Sequence, residues 1–284
     1  MSMLNSLSSM PANLAAALKL VAANPLIIIF SALLDALFLF MYGFATQPVR
    51  DRLFLNAAQL AEVAGQTLQA QQFQSQSLLS ILFMSGKTYT LAILFWLFVL
   101  LLVIYVIYTL LQGTSWHVAA QTAGCSRQWK EYVSHFALLN IPWFLILGLL
   151  FFALTIVDLR AAIAGPVEGS LAALIPNIAL IGLMAVVAYL AVLSYADLQQ
   201  HSWEKSFKNS FRRGTNRFFQ LFPAILVLIV AIVIVNFALT QLSRISPAAA
   251  LVVGIALVLP FLFFVRVYIN TLFVPGNHGY HEHH

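Results

Sequence analysis

The chain has 284 residues, 62% of them hydrophobic and 8% charged, with a mean hydropathy of +0.92, and these values exclude a soluble globular domain. Its formal charge of +5 comes from 14 basic residues dispersed between apolar runs, a pattern of membrane topology and not of nucleic-acid binding. The single cysteine, Cys125, excludes an intramolecular disulfide framework and any multi-cysteine metal or iron–sulfur centre.

In chain order, residues 1–24 read as an interfacial helix, with Leu14, Leu18 and Val21 at helical spacing around Lys19 and Asn24-Pro25 marking its end. Six apolar runs follow, at Pro25–Tyr42, Tyr89–Leu111, Ala137–Ile156, Asn177–Tyr195, Leu221–Leu239 and Ala249–Leu272. Each has the roughly 20 residues needed to cross a hydrocarbon core of about 30 Å. Residues 45–88 read as an external loop. Its Gln- and Ala-rich part, Arg52–Ser77, spaces Leu53, Leu60, Val63, Leu68 and Phe73 as one or two helices lying over the membrane. Residues 112–136 and 196–220 read as amphipathic loops on the opposite side, and 273–284 as a His-rich tail. Six spans put both termini on one side. That side collects Lys19, Arg127, Lys130, Lys205, Lys208, Arg212, Arg213 and Arg217, against Arg50, Arg52, Lys87, Arg160 and Arg244 on the other. The asymmetry predicts a multi-pass protein of the cell membrane with cytoplasmic termini. The fold class is all-α, a polytopic integral membrane protein of about six transmembrane helices.

The chain also repeats itself. Leu111-Gln112-Gly113-Thr114-Ser115-Trp116 ends the second run, and Leu198-Gln199-Gln200-His201-Ser202-Trp203 follows the fourth, 87 residues on. After each come a polar amphipathic stretch, a glycine (Gly124, Gly214) and a span with an early proline (Pro142, Pro223), which predicts a parallel repeat of two helix hairpins.

The Asn24-Pro25 start of the first span, the segment QGTSWHVAAQTAGCSRQWKEYVSHFALLNIPW and the segment DLQQHSWEKSFKNSFRRGTNRFF resemble a group of prokaryotic six-span membrane proteins of unknown function. That group is similar to the membrane domain fused to some glycerophosphodiester phosphodiesterases. The resemblance covers most of the chain and rests on hydropathy order and on scattered G, KE and RF positions. It implies a membrane-embedded scaffold or accessory domain without a known active site. The soluble barrel of the phosphodiesterase and its metal-binding carboxylates have no counterpart here, so no catalytic residue carries over.

Ionisable groups inside apolar runs mark where a membrane protein invests in something other than packing. Asp35 lies near the middle of the first run and Arg266 two-thirds along the sixth. They read as a buried ion pair fixing the first helix to the last, as an ion- or headgroup-binding site, or as an arginine snorkelling to the interface beside a protonated or protein-facing aspartate. Gly182, Ala185, Ala188 and Ala191, within a row of small residues every third position from Ala179 to Ser194, read as a close helix-packing face. In the last amphipathic loop Trp203, Phe207 and Phe211 recur every fourth position beside Lys205, Lys208, Arg212 and Arg213. This is the pattern of a cationic interfacial helix that binds anionic inner-leaflet lipid or a partner. Asn140, Asn177, Asn236 and Asn270 read as interhelical hydrogen-bonding groups. No histidine pair lies within the spans to hold haem, and no hydrolase, nucleotide or zinc motif occurs. The sequence therefore predicts no catalytic residue, no metal and no cofactor. It points to a non-catalytic membrane scaffold or accessory subunit that contacts lipids and either other membrane subunits or itself, the alternative being a small transporter or channel using Asp35 and Arg266.

Overall fold

The structure is a computed structural model that describes residues 14–70, 86–164, 171–216 and 218–273, and it contains no strand among them. A short helix, α1, occupies residues 14–22. It is followed by α2 (Pro25–Ala70), α3 (Lys87–Ile107), α4 (Gly113–Thr122), α5 (Trp129–Ala164), α6 (Leu171–Asp197), α7 (Trp203–Asn216), α8 (Phe218–Ile245) and α9 (Pro247–Thr271). Leu, Ile, Val, Phe and Ala dominate the long helices, and in lipid a backbone that pairs its own N–H and C=O groups is the one such runs can adopt. Pro25–Val63, Lys87–Thr122, Trp129–Leu154, Pro176–Asp197 and Pro247–Thr271 are long and apolar enough to cross a membrane, and α8 adds the shorter apolar stretch Val233–Ile245. The chain is an all-helical, multi-pass membrane protein.

The boundaries differ from the sequence reading in two places. The first run does not stop at Tyr42. α2 continues for 46 residues through Pro48, so the described part of the expected external loop is the continuation of a spanning helix and not a separate element. Gly43 alone costs a helix only about 1 kcal/mol, too little to end it. Residues 112–136 are likewise not a loop. A π turn at Tyr108–Gln112 joins α3 directly to α4, and α5 already begins at Trp129. Residues 1–13, 71–85 and the tail from 274 lie outside the described residues.

Two compact units divide the chain, one of Leu37–Leu111 and one of the segments on either side. In the smaller, Phe38 meets Tyr108 edge-on at 6.0 Å between ring centroids, while large apolar side chains such as Phe40, Phe44, Phe95 and Phe98 stay exposed, as suits a lipid-facing surface. In the larger, α5 packs on α6, α6 on α7 and α8 on α9, while α4 inserts between α5 and α9. Its core gathers where α4 and α7 meet the ends of the long helices, and Trp116, Tyr132, Phe136, Leu139, Trp143, Leu193, Leu198, Phe263, Val267 and Tyr268 are buried there. The segments read as amphipathic loops are thus the best-packed part of the molecule. In α1 the buried positions are Ala17 and Val21, whereas Leu14 and Leu18 remain exposed.

Local signals explain how the short elements are set. α4 ends in a reverse turn in which Cys125 N–H donates to Ala120 O and Gly124 N–H to Gln121 O, with Gly124 at φ 101°. This left-handed conformation is cheap only for glycine. At the start of α9, Ser246 Oγ accepts from Ala249 N–H, with Pro247 in the first turn. The order long helix, short helix, long helix occurs twice, as α3–α4–α5 and as α6–α7–α8. The two copies differ at their glycines: Gly124 makes a turn, but Gly214 lies inside α7, where it lets the helix approach Leu190.

Candidate functional site

Along α9, Leu259, Phe263, Arg266, Val267 and Asn270 fall on one helical face and are buried, so a guanidinium is carried into the packed seam of that helix. Three elements meet it there. α2 offers Ser31 and Asp35, one turn apart, and the junction of the π turn with α4 offers Gln112 and Ser115.

The resulting knot is closed. Arg266 Nη1 donates to Asp35 Oδ2 at 2.7 Å and to Ser115 Oγ at 2.6 Å, and Nη2 donates to Asp35 Oδ1 at 2.9 Å and to Gln112 Oε1 at 2.7 Å. Gln112 Nε2 returns a bond to Asp35 Oδ1 at 3.0 Å, and Ser115 Oγ shares a hydrogen bond with Ser31 Oγ at 3.0 Å. Each terminal nitrogen of Arg266 therefore donates twice, and both carboxylate oxygens of Asp35 are engaged. Asp35 is 2% and Arg266 7% exposed, so the interaction is desolvated and bidentate, the geometry in which arginine binds a carboxylate most strongly. The snorkelling alternative is not what the structure shows: the guanidinium is turned into the protein.

The sequence repeat returns here with a physical meaning. Gln112 binds Arg266, and its counterpart Gln199 donates to Asn270 Oδ1 one turn further along the same helix. Asn270 in turn donates to Arg266 O at 2.8 Å. The two copies of the motif thus dock their glutamines on successive turns of α9. Ser31, Gln112 and Ser115 were not expected in the site. The signal for the last two was the motif itself, which places a glutamine and a serine three residues apart, on one helical face.

Two further polar clusters tie elements of the larger unit together, the first holding α7 to α6 and the second α5 to α6. Asp197, at the end of α6, is 2% exposed, pairs with Arg213 and accepts from Asn209 Nδ2 at 2.9 Å, and its Oδ2 lies 3.2 Å from His201 Nδ1. Asn140 accepts from Tyr195 Oη at 2.6 Å, while Trp143 Nε1 donates to Ser194 Oγ at 3.0 Å. Asn140 thus bonds between helices and Asn270 to the turn that follows α6, whereas Asn236 is exposed.

Two sequence readings are corrected by helix geometry. Of the small-residue row, Ala191 is buried, but Gly182, Ala185 and Ala188 are exposed, and a Cβ added at Gly182 would meet nothing within 4 Å. Steps of three residues fall about 60° short of a full turn, so the row winds around α6 and shares no single face. The packed face is Val187, Leu190, Ala191, Ser194 and Leu198. On α7 the closest-packed positions are Ser206, Ser210 and Gly214. Phe207 and Phe211 stand at the edge of that face against Trp143, at 4.9 and 5.9 Å between centroids, and Trp203 is half-buried. Arg213 is committed to Asp197 and also lies over the Phe273 ring, which leaves Lys205, Lys208 and Arg212 on the exposed side.

His117, read as a loop or interface residue, is buried, with Nε2 3.0 Å from Arg127 O. No group of three or more His, Cys, Asp or Glu among the described residues is placed to hold a metal ion. A pocket of about 200 Å³ between α8 and α9 is lined by Val233, Val235, Asn236, Leu239, Leu257, Val258 and Phe261 and contains no ionisable side chain. No family model, curated protein or solved structure matches the chain.

Proposed function

We propose that the chain is a non-catalytic integral membrane scaffold or accessory subunit of the cell membrane, with cytoplasmic termini, in which the Asp35–Arg266 knot serves as an internal clamp. The observation that carries this reading is that the knot finds its partners within the chain. Four donated hydrogen bonds from Arg266 and three accepted by Asp35 all run to side chains of the chain itself, in a place largely withdrawn from solvent. A site that binds and releases an ion or solute keeps unused capacity along a polar route. Here the charges neutralise one another, and the clamp holds α2 to α4 and α9. The resemblance to accessory membrane domains points the same way, and the wide exposed apolar surfaces of α2, α3 and α6 leave room for membrane partners.

Extraction of the full chain from its native membrane in mild detergent, followed by native mass spectrometry, tests the reading. Stoichiometric co-purification of another integral protein is the expected result. A chain recovered without partners that also conducts ions or solutes in liposomes, in a manner abolished by Asp35→Asn while folding is retained, would overturn it in favour of transport.

A further inference from the structure

We propose that the exposed face of α7 is a lateral binding site for anionic phospholipid, with Lys205, Lys208 and Arg212 taking the lipid phosphate. The inference does not depend on the scaffold reading. It starts from where α7 lies. The helix leaves the end of α6 and folds back on it, so that Asn209 and Arg213 reach Asp197 and Tyr189 Oη donates to Gly214 O at 3.2 Å. Its other flank is set against Trp143 of α5 through Phe207 and Phe211. Tyr189, Asp197 and Trp143 all belong to stretches long and apolar enough to cross a membrane. α7 is therefore not a helix above the bilayer but one laid against the last two turns of a span, at the level of headgroup phosphates and glycerol.

At that level the two sides of α7 differ in how their charges are met. The inner side has its own counter-charge, Asp197 for Arg213. On the outer side Lys205, Lys208 and Arg212 follow at i, i+3 and i+7, within an arc of about 60° and along about 10 Å of helix. All three are exposed and none forms an ion pair among the described residues. Glu204 and Thr215 share the exposed half, and Phe211, 43% exposed, turns part of its ring outward beside the cations. Three cations in line beside an apolar ring complement a headgroup phosphate with the start of its acyl chains below. The arginine supplies the forked donor and the lysines supply point charges.

The test uses the purified full chain in mild detergent, titrated with phosphatidylglycerol or with neutral phosphatidylcholine, with bound lipid read by native mass spectrometry. Because each surface cation is worth about fivefold in affinity, the variant K205Q/K208Q/R212Q should lose at least about tenfold in phosphatidylglycerol binding. Phosphatidylcholine binding should not change. The matched variant R50Q/R52Q/K87Q, with equally exposed cations, should keep its phosphatidylglycerol preference, and millimolar inorganic phosphate should not displace the lipid. An undiminished preference in the α7 variant, an equal loss in the matched variant, or displacement by free phosphate would each overturn the proposal. The thermal transition in detergent checks folding. Should the triple variant fail to fold, Lys208→Gln and Arg212→Gln alone must each weaken phosphatidylglycerol binding severalfold, and no change in either would count against it.

Discussion

At the scale of single residues, the Asp35–Arg266 knot makes a prediction that separates pairing from simple polarity. Removing one charge strands the other in a buried site, and breaking a buried pair in this way costs about 3–5 kcal/mol. Asp35→Asn should therefore lower the thermal stability of the detergent-solubilised protein sharply. The double change Asp35→Asn with Arg266→Gln, in which two neutral amides replace the pair, should be more stable than Asp35→Asn alone. Strictly additive losses would show that the two charges act independently and would remove the clamp. The pair was visible in the sequence because any charge within an apolar run is conspicuous. Ser31, Gln112 and Ser115, which complete it, were not, because short polar side chains are common in membrane helices and nothing in their own neighbourhoods says which helix they will face.

At the scale of helices, spans were easy to read and faces were not. Hydropathy located every long helix, yet it placed the end of the first span too early and treated 112–136 as a loop, because polar and small residues at the end of a span look the same whether they face water or pack a core. Trp116, Tyr132 and Phe136 show the second case: aromatic side chains in these segments are buried against α6 instead of resting on a membrane surface. The small-residue row misled for a geometric reason, since a repeat of three drifts around a helix whereas the packed face of α6 follows steps of three and four. Tight approach is instead found at Gly113, where an added Cβ would stand 2.9 Å from the ring of fully buried Phe136. An aromatic ring in a packed core cannot swing aside as the end of a flexible side chain can. Gly113→Val is expected to cost about 1–3 kcal/mol of stability through overpacking. Gly43→Ala, in a helical position with nothing within 4 Å, should be neutral or stabilising by up to about 1 kcal/mol. Thermal unfolding of both variants in one detergent checks the contrast, and equal behaviour would mean that α4 does not press on α5 as the structure places it.

At the scale of the whole molecule, the question is which way the chain faces. Charge carries most of this information and packing adds some. Of the eight basic residues on the side predicted to be cytoplasmic, Arg127 is held by the Leu198 and His201 carbonyls and Glu131, and Arg213 by Asp197. Lys19, Lys130, Lys205, Lys208 and Arg212 are exposed, and Arg217 lies outside the described residues. The sequence reading puts α4 with its turn and α7, which build the core of the larger unit, on that same side, and Arg50, Arg52 and Lys87 on the other. Positive-inside topology and the retention of exposed cations therefore favour a cytoplasmic position for α7 and an external one for Lys87. In a background where Cys125 is changed to Ser, Lys87→Cys should react with an impermeant maleimide added to intact cells. Lys205→Cys should react only after permeabilisation. The reverse pattern would invert the topology, and labelling of both positions from outside would show that Lys87 and α7 are not separated by the odd number of crossings that the six-span reading requires.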